Sequence, residues 1–280
     1  MKIFEDIKSI RSELKKFPGK KTGFVPTMGA LHEGHLSLIE LAKNSCDIVV
    51  TSIFINQKQF NNNQDYLHYP NTLEKDVKYL ESKKVDILFH PKIAEIYPQN
   101  FSTSVTVSGL TNNLCGSTRP GHFDGVALIV AKLFGIVKPD KAFFGEKDFQ
   151  QLQVIRKLVR DLNIDVEIIP GKTVRENDGL AMSSRNLRLS ENGRKLAPKI
   201  YENLLLAKKQ ITENPTNIDS ILSSIGKNLL QAGIEKIDYL QACDEENLQP
   251  IKNLDSEIKS RLFIAAYIDG VRLIDNITLY

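Results

Sequence analysis

KTGFVPTMGALHEGHLSLIELAKN, residues 21–44, changes character within a few positions. Residues 22–27 form a β-like run, and from residue 36 to residue 44 the apolar positions recur at helical spacing. Between them stand two histidines three apart, His32 and His35, with Gly34 directly before the second and Gly29 upstream. A strand, a glycine-bearing turn and a helix make the unit from which parallel α/β sheets are built. The alternation continues along the chain. Strand patterns fall at 47–54, 85–89, 141–144 and 166–169, and helical patterns at 73–82, 125–137 and 149–162. This order predicts a doubly wound parallel sheet, with ligands at the carboxyl ends of its strands.

After Arg185 the pattern differs. Residues 190–210 and 218–231 read as helices, followed by short strands near Ile237, Leu262 and Val271. We therefore expect a first domain over 1–175 and a smaller α+β domain over 176–280. Ile3, Ile7, Ile10 and Leu14 recur at helical spacing and predict one amphipathic helix at the amino end. The stretch Asn61 to Asn63 reads as an ordinary loop.

The chain has 280 residues, 41% of them hydrophobic, enough for one large core and a smaller one. Its formal charge of +3 argues against a dedicated nucleic-acid binder, which needs a concentrated basic face. Cys46, Cys115 and Cys243 are scattered and lack Cys-x-x-Cys spacing, as expected of idle thiols in a reducing compartment. The charged amino end lacks the apolar core of a signal peptide, and the most apolar stretch is too short to span a bilayer. The expectation is a cytoplasmic protein with no membrane partner.

Several stretches offer chemistry. His32 and His35 are a poor zinc pair without a third ligand. They suit a phosphate better, because a helix amino end presents N–H groups and a positive dipole end, with a hydrogen-bonded structural role as the competing description. In GEKDFQQL, residues 145–152, Lys147 supplies a cation and Asp148 a helix cap or ribose acceptor, and Gln151, at i+4, is expected on the same helical face as Lys147. A capped surface helix is the competing description. VRENDGLAMSSRN, residues 174–186, sets Ser183, Ser184 and Arg185 in a turn-rich loop suited to polyphosphate, or to a polar linker. In FINQKQF, residues 54–60, Gln59 follows a strand at its carboxyl end. His122 of RPGHF reads as structural.

Together, PTMGALHEGH, NQKQF, RPGHFDGV, GEKDFQQL and DGLAMSSRN resemble, in order and interval, the signature segments of the pantoate–β-alanine ligase family. LIDN, residues 273–276, is similar to that family's usual ending. HxGH alone marks only the wider nucleotidyltransferase superfamily. The resemblance implies a Rossmann-like fold whose carboxyl-terminal domain closes over the active site. It implies attack of pantoate on the α-phosphorus of ATP to give pantoyl adenylate and pyrophosphate, then displacement of AMP by β-alanine.

Carried over by position, ATP contacts fall on Met28, Gly29, Ala30, Leu31, His32, Glu33, Gly34 and His35, with His35 as proton donor. Gly145, Glu146, Lys147, Asp148, Val174, Met182, Ser183, Ser184 and Arg185 complete the nucleotide site. His32, His35, Lys147, Ser183, Ser184 and Arg185 form the catalytic set. Gln59 holds pantoate and β-alanine, and Gln151 holds pantoate. The resemblance also implies Mg²⁺ and a homodimer; its metal ligands do not follow from the residues, Asp76 being the one carboxylate put forward. The family usually has proline where this chain has Gln57. The rival enzyme is an HxGH nucleotidyltransferase acting on a phosphorylated acceptor, which predicts basic residues where Gln59 and Gln151 stand.

Overall fold

The structure, a computed structural model, describes residues 1–61 and 63–280. It divides into two units. The first comprises Met1–Ser108, Arg119–Glu146 and Gln151–Lys172, and the second Gly109–Thr118, Lys147–Gln150 and Thr173–Tyr280. The composition change puts a single boundary at 175/176. Two short segments, Gly109–Thr118 and Lys147–Gln150, nevertheless belong with the second unit, through contacts that no local composition reveals.

The first unit carries β1 (Lys2–Phe4), α1 (Ile7–Leu14), β2 (Thr22–Thr27), α2 (Glu33–Ser45), β3 (Ile48–Ile53) and α3 (Leu73–Ser82). It continues with β4 (Ile87–Phe89), α4 (His122–Val137), β5 (Lys141–Gly145), α5 (Phe149–Asp161) from Gln151 onward, and β6 (Glu167–Gly171). The strands form one sheet in the order β1-β4-β3-β2-β5-β6, every pair parallel. Such a sheet is covered on both faces, which is why β3, Ile-Val-Val-Thr-Ser-Ile, is buried at every position. Val25, Ile39, Val49, Leu88 and Phe143 pack together in its core. The strand order reverses between β2 and β5, so residues 28–35 and 145–146 leave the sheet at the same end, where such folds bind ligands.

Three expectations change. The amino end is a strand and a helix, because Asp6 caps α1 by accepting from the Ser9 N–H and so stops it upstream. Ile3, half exposed, then lies in a strand paired with β4. Second, α2 begins at Glu33, which puts His35 inside its first turn. Third, the helix expected over 190–210 is two, α6 (Glu191–Leu196) and α7 (Lys199–Glu213), separated at Pro198, which has no N–H for a continuous helix. Within Asn61 to Asn63, Asn62 lies outside the described residues and Asn63 opens a short helix.

In the second unit α7 and α8 (Ile218–Gln231) cover an antiparallel sheet of β7 (Lys236–Asp244), β8 (Ser260–Ile268) and β9 (Val271–Thr278). Leu204, Ile211, Ile225 and Leu229 meet Leu262, Ile264 and Leu273 in its core. Asp269 and Gly270, both at positive φ, make the tight β8–β9 turn, which demands left-handed residues. Among the described residues no helix is long and apolar enough to cross a membrane.

Candidate active site

The chain leaves β2 through Met28, Gly29, Ala30 and Leu31 and enters α2 at His32. Gly29 and Ala30 both sit at positive φ, +82° and +50°. Buried Asp76, from α3, fixes this bend: it accepts the Ala30 N–H at 2.8 Å, the Leu31 N–H at 2.8 Å and the Thr72 hydroxyl at 3.1 Å. A side chain at Gly29 would press on that carboxylate and on Ile53, each 3.1 Å from its Cβ. The two histidines then cap the helix reciprocally. His32 Nδ1 accepts the Gly34 N–H at 3.2 Å, and His35 Nδ1 accepts the His32 N–H at 3.3 Å. The rings lie 4.1 Å apart. Because both Nδ1 atoms accept, each neutral ring carries its proton on Nε2, as a donor. Glu33 is the first helical residue, exposed.

Gln59 stands in a 3₁₀ turn, Gln57–Gln59, after β3. Its side chain accepts from Asn56 at 3.1 Å and donates to the Met28 sulfur at 3.0 Å. Asn56 is buried, donates to the Gly125 carbonyl and accepts from Tyr97, whose hydroxyl burial pushes up to about 12. Arg119 donates to His122 Nε2, and His122 Nδ1 in turn donates to the Gln59 carbonyl at 2.7 Å. His122 is thus structural, and it holds the turn that bears Gln59. Gly125 allows α4 to lie on this turn, since a Cβ there would stand 2.3 Å from the Lys58 carbonyl oxygen.

In the first unit β5 ends at Gly145, followed by Glu146, and Gln151 lies half-buried on α5. Lys147 does not share a helical face with Gln151: it belongs to a 3₁₀ turn, Glu146–Asp148, ahead of the helix. Gln150 serves structure, accepting the Cys115 N–H and donating to the carbonyls of Leu110 and Asn113.

The second unit holds the remaining residues that the sequence motifs single out. The Lys147 ammonium is 3.9 Å from the exposed Asp148 carboxylate, and its carbonyl accepts from Asn276 at 2.8 Å. Residues 174–182 fold back on themselves: the Met182 N–H reaches the Val174 carbonyl at 3.0 Å, and Gly179 turns at φ +89°. Arg194 pairs with Glu176 and Asp178 and holds the Asp178 carboxyl below its usual range. Ser183 then caps a 3₁₀ turn, Ser184–Arg188, by accepting the Arg185 N–H, and Ser184 is buried. Lys147, Ser183 and Asp275 line one cavity of about 10 Å³, room for roughly one water molecule.

Local motifs mark His32, His35 and Gln59, but give no sign that Asp76 holds the bend before the histidines or that Asn56 holds Gln59. Asp76 is 1% exposed and its oxygens accept two amide N–H groups and a hydroxyl, which accounts for its burial without a metal. Among the described residues no three His, Cys, Asp or Glu side chains gather to hold a metal. The three cysteines are free; burial pushes Cys46 up and Cys243 to about 12.

A family profile described as pantoate-beta-alanine ligase matches residues 2–278. A pantothenate synthetase of Caldicellulosiruptor bescii is 47% identical over 275 residues, covering 98% of this chain and 96% of that protein. Among solved structures, a pantothenate synthetase of Thermus thermophilus superposes with a TM-score of 0.92 at 43% identity, over the full length of both chains. The Francisella tularensis pantoate-beta-alanine ligase, solved with beta-gamma ATP and beta-alanine, gives 0.85 at 40% identity, covering 100% of this chain and 98% of that one. Fold, motifs and full-length identity agree: the chain belongs to the pantoate–β-alanine ligase family.

Proposed function

We propose that this chain joins pantoate to β-alanine in two steps, through a pantoyl adenylate. In the first, a pantoate carboxylate oxygen bonds to the α-phosphorus of ATP and the bond to the β-phosphate oxygen breaks, releasing pyrophosphate. In the second, the amine of β-alanine attacks the acyl carbon, loses a proton and expels AMP. The substrate brings its own nucleophile, so the protein needs only to align the reactants and stabilise charge on the leaving phosphates.

The observation that carries this reading is the reciprocal cap of α2. With both Nδ1 atoms engaged by backbone N–H groups, His32 and His35 offer Nε2 donors at a helix amino end, the arrangement an anionic phosphate requires. We assign Met28 to His35, Gly145 to Asp148, Val174 and Met182 to Arg185 to ATP, and Lys147, Ser183, Ser184 and Arg185 to the developing phosphate charge. Gln59, wired to Met28 and Asn56, and Gln151 are assigned to pantoate, with Gln59 also facing β-alanine. Neutral amides orient a carboxylate without stabilising it against attack. Mg²⁺ fits as a companion of the ATP phosphates, where it would neutralise charge, and not as an ion caged by side chains. Free thiols suit a cytoplasmic setting, and family likeness implies a homodimer.

Isotope exchange between pyrophosphate and ATP tests the chemistry. Exchange should require pantoate and proceed without β-alanine; adding β-alanine should release AMP. Release of ADP, or exchange supported only by a phosphorylated acceptor, would overturn the adenylate route.

A further inference from the structure

The dipeptide Asp275–Asn276 of the LIDN segment has no part in the chemistry above, yet it touches both nucleotide-assigned stretches of the second unit. β9 is held along its length by β8, with Ile264 opposite Asp275 and Phe263 opposite Asn276. Successive strand residues point to opposite faces, so two neighbours can serve two different segments. Asp275 is 4% exposed and takes Arg175 in a two-pronged ion pair, 2.7 and 2.9 Å. Arg175 is itself part of the folded-back stretch: it donates to the Gly179 carbonyl at 3.0 Å and stacks 3.7 Å over the Tyr201 ring. Asn276, 3% exposed, donates Nδ2 to the Lys147 carbonyl at 2.8 Å, while its Oδ1 accepts from Arg261. The amide is oriented by this pair: the nitrogen must face Lys147, because Arg261 can only donate.

We propose that Asp275 and Asn276 are positioning residues for adenylate formation. Asp275 fixes, through Arg175, where Ser183, Ser184 and Arg185 emerge, and Asn276 fixes the backbone from which the Lys147 side chain projects. The proposal rests on the assignment of Lys147 and the serine loop to ATP. One rigid strand then sets the spacing of two phosphate-contacting groups that lie far apart in sequence, and such spacing matters at the scale of an ångström.

The test uses the full-length chain. Asn276→Asp is close to isosteric and keeps the acceptor for Arg261 but removes the donor to Lys147. Asp275→Asn and Arg175→Lys break the two-pronged pair from either side. In pantoate-dependent pyrophosphate–ATP exchange, each should raise KM for ATP or lower kcat by tenfold or more, while KM for pantoate moves less than about twofold. KM does not depend on how much of a variant is folded, and kcat is taken per titrated active site, so partial instability does not imitate either change. In a Lys147→Ala background, Asn276→Asp should add little further loss, since it acts through Lys147. Parent ATP kinetics in all three variants, or full additivity with Lys147→Ala, would overturn the proposal. If Lys147→Ala itself exchanges at the parent rate, the ATP assignment fails and the proposal with it. An impaired Lys147→Ala beside unimpaired Asn276→Asp and Asp275→Asn would sink the positioning role alone.

Discussion

A carboxylate that is 1% exposed has to be held by donors, and Asp76 is held by two backbone amides and a hydroxyl. What those bonds secure is a bend containing a non-glycine residue, Ala30, at a φ that L-residues enter at a cost of roughly 1–2 kcal/mol. The bend in turn delivers His32 to the cap of α2. Removing the carboxylate in Asp76→Ala should leave two buried N–H groups unpaired, at about 1–3 kcal/mol each. Urea unfolding should show that loss, with a smaller one in Asp76→Asn, which keeps one acceptor oxygen. The two roles considered for Asp76 separate in a Mg²⁺ titration of folded Asp76→Asn. A bend-holding residue leaves half-saturation by Mg²⁺ at the parent concentration, whereas a metal ligand moves it tenfold or more. The same contrast explains what local pattern could say about the site. His32, His35, Lys147 and the serines sit in strand-to-helix or turn sequences that advertise themselves. Asp76 acts on a residue 45 positions away and Asn276 on one 129 positions away, and no spacing rule connects them.

Glycine at 125 decides how closely α4 approaches the turn that bears Gln59. An added Cβ would meet the Lys58 carbonyl oxygen at 2.3 Å and the Gln59 nitrogen at 2.7 Å, both backbone atoms that cannot swing aside. Gly125→Ala gains helix propensity of about 1 kcal/mol but must push α4 and the turn apart, and overpacking of this kind costs about 1–3 kcal/mol. The net effect on stability should be small, and the effect on pantoate large. KM for pantoate should rise several-fold with KM for ATP nearly unchanged, and equal rises in both would show that the turn does not serve pantoate. Most strands and helices were legible because burial on both faces and helical spacing leave periodic marks; β2 and α3 begin and end where those marks do. The failures have definite causes. Asp6 capped a helix that apolar spacing alone extended to Ile3, and Pro198 divided one that spacing ran together. Gln57, which looked like a missing stiffener, sits in a turn held by Asn56, Arg119 and His122.

Two units with separate sheets raise the matter of which parts of the chain each depends on for stability. The second unit borrows Phe149, the first residue of α5, from the middle of the chain. Phe149 is 4% exposed; its ring centroid lies 5.9 Å from that of Phe263, and the Arg261 guanidinium stacks 4.0 Å over it. Arg261 is itself buried, bonded to Glu245 and Asn276, so the ring packs against a buried charge that already has its partners. Three positions further along the same helix, Leu152 is wholly buried in the first unit. One helix thus supplies core residues to both. Phe→Ala and Leu→Ala changes at such sites cost about 3–5 and 2–5 kcal/mol. Similar losses should therefore fall in different places. Native-state hydrogen exchange should show Phe149→Ala weakening protection in β8 and β9 while β2 and β3 keep most of theirs, and Leu152→Ala doing the reverse. If both variants lower protection equally in all four strands, the two units open as one cooperative body, and the borrowed residue stabilises the chain as a single whole.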